Sequence, residues 1–186
     1  PIVMGQSQHG WLSQVYADRY PQGPRGVVAI ACGPGGDDVG PSMQEFFDAD
    51  ASPARKAAEE RNWATRPHFD APTTSEEFIA NYIANDARWW FDEDFDCSSM
   101  WEGTWYNVPV AMQMFGAPDG DDFATGAVPT FAAIGRYDYS VPYVWWERPL
   151  PETVTVRVYE RSGHHAPYEQ PDEFVADVVA WAADLD

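Results

Sequence analysis

At the start of the chain, residues 2–10 read IVMGQSQHG. The apolar beginning of this stretch, which ends at Gly5, predicts a short buried strand. Apolar side chains then recur with helical spacing from residue 11 to residue 16, so a helix follows the strand after a tight turn. A second apolar run at 27–31 predicts another buried strand. Strand, turn, helix and strand form a βαβ unit, and this unit implies a parallel sheet.

Three later segments extend the same pattern. Residues 131–134 (FAAI) form a third apolar run that ends at a glycine. Valines at 154, 156 and 158 alternate with polar residues, as in an edge strand with one solvated face. Residues 171–174 (PDEF) are typical of the start of a helix. The predicted fold class is therefore α/β, with a parallel sheet and flanking helices.

A long acidic and aromatic segment without a strand pattern separates the second and third predicted strands. A helix start is indicated at 52–53, where serine precedes proline. Another is indicated at 74–77 (TSEE), where either of the first two residues can cap the helix. We interpret residues 37–126 as an inserted helical cap, and residues 1–36 together with 127–186 as the α/β core.

Composition excludes several classes of partner. Of the 186 residues, 30 are acidic and 11 basic, for a formal net charge of −19. This charge repels polyanions, so neither nucleic acid nor an anionic membrane surface is an expected partner. The sequence has no apolar run of membrane-spanning length and no motif with metal-ligand spacing, so no metal or cofactor is expected. The default expectation is a cytoplasmic protein with two unpaired thiols.

Ser7 lies in the turn between the first strand and the first helix. A tight turn at this point projects a serine hydroxyl above the sheet, close to the free N–H groups of the helix start. Gly5 suits the close approach of strand and helix, although His9 stands where a second small residue is expected and Gly10 comes one place later. Ser7 is therefore the candidate nucleophile, with the Gln8 N–H as oxyanion donor. The alternative is an ordinary turn serine.

Two further candidates follow later strands. Asp138 comes after the strand at 131–134, and His164 comes after the strand built on alternating valines. The carboxyl ends of parallel strands share one edge of the sheet, where active sites of such sheets form. A histidine there can take the serine proton, and an aspartate can orient the imidazole and stabilise its charge. His165 is the alternative to His164, because only one of the two can face the serine.

These segments together resemble the α/β-hydrolase superfamily, and within it the proline iminopeptidase-like serine aminopeptidases. The resemblance is carried by GQSQHG at 5–10, by VPT at 128–130 leading into GRYDYSVP at 135–142, and by SGH at 162–164 with EQP at 169–171 and Phe174. It implies a catalytic triad of Ser7, Asp138 and His164 acting on a small peptide or other small-molecule substrate.

The resemblance covers the C-terminal two thirds of such an enzyme. Members of the family begin with several strands and an HGGPG-like loop that supplies half of the oxyanion hole, and this chain shows no counterpart of them before Ser7. We therefore expect a companion N-terminal segment or chain, which would cover the open edge of the first strand and complete the oxyanion hole.

The predicted cap offers candidate substrate contacts. Caps of the resembled family hold the α-amine of the substrate with acidic residues, and aromatic walls stabilise a cation. The candidates here are Glu76, Glu77, Trp89, Trp90, Asp92, Glu93 and Asp94. The alternative is that the aromatic residues form the core of the cap while most of the carboxylates face water.

The functional hypothesis is a serine hydrolase that forms an acyl-enzyme. The resemblance implies an aminopeptidase that releases N-terminal proline or a small apolar residue. The alternatives are an esterase or amidase acting on a small metabolite, or a binding protein that keeps the fold without turnover, because one fold hosts many chemistries.

Overall fold

The computed structural model describes residues 1–35, 40–115 and 126–185. The expected parallel sheet is present, and its four strands lie in the order in which they occur along the chain. The strands are β1 (Ile2–Gln6), β2 (Gly26–Ile30), β3 (Thr130–Gly135) and β4 (Val154–Tyr159).

Helices flank the sheet and fill most of the described insertion. They are α1 (Gln8–Arg19), α2 (Met43–Asp50), α3 (Pro53–Thr65), α4 (Ser75–Ala84), α5 (Asp86–Trp89), α6 (Val108–Phe115), α7 (Ala166–Glu169) and α8 (Pro171–Ala183), with 3₁₀ turns at Ser98–Trp101 and Tyr143–Trp146. Both predicted cap signals are confirmed. Ser52 accepts a hydrogen bond from the Arg55 N–H at the start of α3, and Thr74 forms a capping box with Glu77 at the start of α4.

Burial differs sharply between the strands. Every residue of β2 and β3 is buried, whereas β4 alternates as the valine pattern predicted. The prediction that β1 is a buried strand is wrong, since Ile2 is 37% exposed and Met4 51% exposed. The reason is that β2 is the partner of β1 on one side, and no other described strand pairs with its outer edge.

Part of the core lies between the sheet and α8, and a separate cluster joins β2 to Ala17 of α1. In the first cluster, side chains of β2, β3 and β4 pack with those of α8, so that Phe131 lies against Trp181 and Tyr159 against Phe174. This packing fixes the ends of β3 and β4, which carry the loops that lead to Asp138 and His164.

In its described part, residues 40–115, the regular structure of the insertion consists of helices and one 3₁₀ turn, without a strand. Its first helix, α2, packs closely on the loop after β3, since the Phe47 ring lies 5.2 Å from the Tyr139 ring. Asp50 also accepts two hydrogen bonds from Arg136, at 3.1 and 2.9 Å. The division into a core and a 37–126 cap stays a prediction.

The end of β3 touches the loop after β4 through the backbone. A Cβ added at Gly135 would lie 1.9 Å from the Gly163 carbonyl oxygen and 2.5 Å from that of Ser162. Only glycine therefore allows the two segments to approach as they do, and their approach sets the separation between the Asp138 and His164 segments.

We expect Gly135→Ala to lower the free energy of unfolding by about 3 kcal/mol, at the upper end of the range for overpacked sites, because rigid backbone atoms block the new methyl group. Gly23→Ala is the matched control, since Gly23 lies in an exposed turn where the closest atom to a new Cβ is the Tyr16 hydroxyl at 3.1 Å. Urea unfolding of both variants measures the difference. Equal losses of unfolding free energy in the two variants would contradict the steric argument.

Candidate active site

Ser7 sits at the junction of β1 and α1 in a strained conformation. Its φ of 55° and ψ of −124° lie outside the regions that serine normally occupies, at a cost of about 1–3 kcal/mol. The turn is fixed by two backbone hydrogen bonds, from the Ser7 N–H to the Ile30 carbonyl at 2.7 Å and from the Trp11 N–H to the Ser7 carbonyl at 3.0 Å. Such strain is what a sharp strand-to-helix turn needs to present a serine hydroxyl.

The glycines around Ser7 make this turn sterically allowed. A Cβ at Gly5 would lie 2.1 Å from the His9 carbonyl oxygen, and a Cβ at Gly10 would lie 2.7 Å from the Cys32 sulfur. Gly10 therefore allows the close approach of helix and strand for which the turn pattern predicts a small residue at position 9. His9 itself is exposed on α1.

Gln8 is the first residue of α1. A backbone N–H at this position has no partner within its own helix and lies at the positive end of the helix dipole. The Gln8 N–H, the predicted oxyanion donor, is therefore free of intrahelical bonding in the residue that follows Ser7.

Asp138 and His164 form a buried hydrogen-bonded pair. The Asp138 Oδ2 lies 2.7 Å from the His164 Nδ1, and both side chains are almost completely buried. The other oxygen of Asp138 accepts the backbone N–H groups of Ser140 at 2.9 Å and Val141 at 2.8 Å. With both carboxylate oxygens occupied, Asp138 is held in one orientation. It fixes the imidazole with Nδ1 toward the carboxylate, which leaves Nε2 for other partners.

The backbone of His164 is held from two sides. Its N–H donates to the Trp89 carbonyl at 2.7 Å, and its carbonyl accepts from the Gln6 Nε2 at 2.8 Å. Gln6 was not among the predicted site residues. Its position directly before Ser7 is the signal that could have revealed it, because the end of β1 faces the loop after β4.

His165 points away from Asp138. Its Nδ1 lies 2.8 Å from the Gln6 Nε2, and its ring stacks on Trp90 with centroids 4.3 Å apart. Of the two adjacent histidines, His164 is the one that contacts Asp138 and lies with Ser7 on the wall of a common cavity.

Burial, together with the neighbouring His164, lowers the pKa of His165 to about 3. The unfolded chain, with an ordinary histidine pKa of about 6.5, therefore binds a proton where the folded chain does not. The stability that neutral His165 contributes is complete above pH 6.5 and is lost as the pH falls toward 3.

We expect the free energy of unfolding to decrease below pH 6.5 with an added slope approaching 1.4 kcal/mol per pH unit, or about one proton. His165→Asn, which keeps an acceptor for Gln6, should lack this component. His68→Asn, at an exposed histidine, is the control and should keep it. Urea unfolding of the three proteins between pH 4.5 and 7 provides the comparison. If the free energy of unfolding depends on pH in the same way in His165→Asn as in the wild type, His165 is excluded as the source of the pH dependence.

A cavity of about 630 Å³ opens at Ser7 and His164. Its wall is mainly apolar and aromatic, with polar groups from the insertion and from the turn at Ser7. The lining residues are Ser7, Gln8, Trp11, Ala31, Cys32, Gly33, Met43, Asp70, Pro72, Phe78, Asn81, Tyr82, Asn85, Trp89, Met112, Ser140, Val141 and His164. One face of α4 supplies Phe78, Asn81 and Tyr82, and Asn85 continues the same helical spacing directly after the helix. That spacing could have revealed this part of the wall from the sequence.

Trp89 is the one predicted cap contact that lies on the cavity wall. Trp90 packs against His165 instead. The predicted carboxylates have other partners or face solvent. Glu77 caps α4, and its pKa is lowered by the Thr73 backbone N–H that it accepts. Asp92 accepts the Asp94 N–H at 3.0 Å, Glu93 pairs with Arg55 at 3.5 Å, Asp94 pairs with Arg61, and Glu76 is exposed in the first turn of α4.

The carboxylate that does reach the wall is Asp70, which was not predicted. It belongs to a segment before α4 that lacks any periodic pattern, so nothing in the sequence indicated it.

Over residues 1–35, 40–115 and 126–185, no cluster of three or more His, Cys, Asp or Glu side chains could hold a metal ion. Over the same residues, no helix is long and apolar enough to cross a membrane.

The parallel sheet with flanking helices, the strained turn at Ser7 and the Asp138–His164 hydrogen bond form the arrangement typical of the α/β-hydrolase fold. A model of the alpha/beta hydrolase family matches residues 1–178, and the chain belongs to this family.

Relatives of known sequence or structure agree with this fold. The AB hydrolase superfamily protein YclE of Bacillus subtilis (strain 168) is 26% identical over 188 residues, covering 96% of this chain and 67% of YclE. An alpha/beta fold family hydrolase from Bacillus anthracis str. Sterne is 17% identical with a TM-score of 0.63, over 97% of this chain and 66% of that chain. VinJ is 21% identical with a TM-score of 0.57, over 100% of this chain and 66% of that chain.

A fourth similar structure, a thermophilic esterase from Thermogutta terrifontis, is 20% identical with a TM-score of 0.53, over 99% of this chain and 65% of that chain. The chain thus spans about two thirds of the length of the relatives it matches. None of these relatives singles out the proline iminopeptidase-like group within the family.

Proposed function

We propose that this protein is a serine hydrolase that works through an acyl-enzyme at Ser7. The observation that carries the proposal is the buried Asp138–His164 hydrogen bond of 2.7 Å, which fixes the imidazole on the wall of the cavity that Ser7 also lines. Cys32 lies on the same wall, but burial raises the pKa of its thiol to about 12. It stays protonated near neutral pH and is a poor competitor as nucleophile.

The reaction follows from these positions. His164 removes the Ser7 proton as Oγ attacks the carbonyl carbon of the substrate, and Asp138 stabilises the resulting imidazolium. The Gln8 N–H donates to the oxyanion that develops. His164 then gives the proton to the leaving group as the acyl-enzyme forms. A water molecule, deprotonated by His164, releases the acid and restores Ser7.

The composition of the cavity wall favours esters or amides with a small, mainly apolar acyl group. Trp11, Phe78 and Trp89 supply aromatic surface, and Met43 and Met112 supply adaptable thioether surface. The similar structure from Thermogutta terrifontis is that of an esterase, which supports ester substrates. The alternative to an enzyme is a binding protein that keeps the fold without catalytic turnover.

An aminopeptidase is the second candidate, and Asp70 is the observation that favours it. Asp70 is the carboxylate on the cavity wall among the described residues, and a carboxylate beside aromatic rings suits the charged amine of a peptide N-terminus. The amine partner would then be Asp70 rather than the carboxylates at 76–77 and 92–94.

A companion N-terminal segment or chain remains part of the proposal. Among residues 1–35, 40–115 and 126–185, no second strand pairs with β1 on its outer side, and Ile2 and Met4 are exposed there. Such an edge accepts another strand through backbone hydrogen bonds. A second oxyanion donor supplied by that segment would complement the Gln8 N–H.

We expect one equivalent of a fluorophosphonate to label the protein at Ser7, because the fixed imidazole activates this hydroxyl. Intact-mass measurement and peptide mapping give the stoichiometry and the position. Ser7→Ala should abolish labelling, and Asp138→Asn should slow it by about 10³- to 10⁴-fold. Ser162→Ala, at a buried serine off the cavity, is the control and should label normally. Failure of the folded wild-type protein to label would leave the silent binding protein as the better hypothesis.

We expect p-nitrophenyl esters of short apolar acids to be hydrolysed with higher kcat/KM than proline p-nitroanilide. If the protein is an aminopeptidase, the order reverses, and Asp70→Asn should then raise KM for the anilide by about tenfold while leaving the ester unaffected, because only the anilide carries the amine. Asp48→Asn, at an exposed carboxylate of α2, is the control. A preference for N-blocked anilides would exclude Asp70 as an amine partner.

A further inference from the structure

Glu169 lies at the end of α7, within the EQP motif at 169–171. It takes no part in the reaction described above and does not line the cavity. Its carboxylate is nevertheless half-buried and fully engaged. One oxygen accepts the Phe91 N–H at 2.7 Å, and the other accepts the Gly163 N–H at 2.7 Å.

The two amides belong to different parts of the molecule. Gly163 directly precedes His164, whereas Phe91 follows α5, whose last residue, Trp89, lies on the cavity wall. Glu169 therefore bridges the loop that carries the catalytic imidazole and the segment 89–91 of the insertion. The same two stretches also touch directly, through the hydrogen bond of 2.7 Å from the His164 N–H to the Trp89 carbonyl.

The contact between these stretches leaves little freedom. A Cβ at Gly163 would lie 2.3 Å from the Trp89 carbonyl oxygen, so the two backbones are packed as closely as glycine permits. A small displacement of segment 89–91 would be transmitted to His164 through the bridge and through the direct hydrogen bond. Proton transfer is sensitive to such displacements.

Stability alone does not account for a carboxylate at this position. Burial raises the pKa of Glu169, so the ionised side chain is less favourable in the folded protein than in water. Two acceptor oxygens are nevertheless required here, because both groups that face the side chain, the N–H groups of Phe91 and Gly163, are donors. A glutamine offers only one carbonyl oxygen, and its NH₂ would face the second N–H.

We propose that Glu169 is a positioning residue, which joins segment 89–91 of the insertion to the His164 loop and so holds the imidazole for proton transfer. This inference rests on the proposed function, since it assigns His164 as the base. A substrate that presses on Trp89 would thereby act on the alignment of His164.

The test compares Glu169→Gln, which keeps the length and loses one acceptor, with Glu169→Asp, which keeps the charge but is too short to reach both amides. Glu160→Gln, at an exposed carboxylate just before the same loop, is the charge-matched control. For each protein, the rate of fluorophosphonate labelling at Ser7, kcat and KM for the best ester, and the melting temperature are measured.

We expect both Glu169 variants to lose about tenfold or more in kcat and in labelling rate, on the scale of one hydrogen bond to a charged group. KM should change less than about threefold, because Glu169 is not on the cavity wall, and Glu160→Gln should match the wild type. Wild-type labelling shows first whether the proposed function holds. Given that, unchanged rates in both variants, a change confined to KM, or unfolding of both variants below the assay temperature would each overturn the positioning role.

Discussion

Three stretches of backbone meet at Gly163, and the geometry of the site depends on that meeting. The end of β3 approaches from one side at Gly135, and the Trp89 carbonyl approaches from the other. A methyl group cannot be accommodated at either glycine without moving backbone, because the opposing atoms are carbonyls rather than flexible side chains. The hydrogen bonds of Asp138, His164 and Glu169 are short and well aligned because this contact already fixes how far apart their segments lie.

The site also shows how a strongly acidic chain keeps its buried carboxylates. Asp138 and Glu169 each accept two backbone N–H groups, and Asp138 also accepts from His164 Nδ1, so the oxygens of both carboxylates are occupied. These donors replace the water that a carboxylate loses on burial. The surface carboxylates need no such donors and add to the negative charge, whereas Asp138 and Glu169 hold neighbouring segments of the chain in place.

Much of this arrangement could be predicted from the sequence, because local rules decide it. The βαβ pattern, the caps at Ser52 and Thr74, and the placement of Ser7, Asp138 and His164 after strands all follow from periodicity and turn chemistry. Apart from the helical spacing in α4, the residues of the cavity wall did not follow from the sequence, because the insertion folds through long-range contacts. Asp70 has no local signal, and the acids at 92–94 were chosen for their charge although Arg55 and Arg61 engage two of them. β1 was predicted as buried since apolar composition does not show which strand lies at an edge.

Strand order equals chain order, and the whole insertion lies in one connection, between the adjacent strands β2 and β3. Lengthening a flexible connection costs little, about 0.6 kcal/mol of closure entropy for each doubling. The sheet can therefore accept insertions of very different size at this point while its register stays the same. Exchange of this single segment would then change the cavity wall. A replacement segment would need a carbonyl where Trp89 accepts the His164 N–H and an amide where Phe91 donates to Glu169.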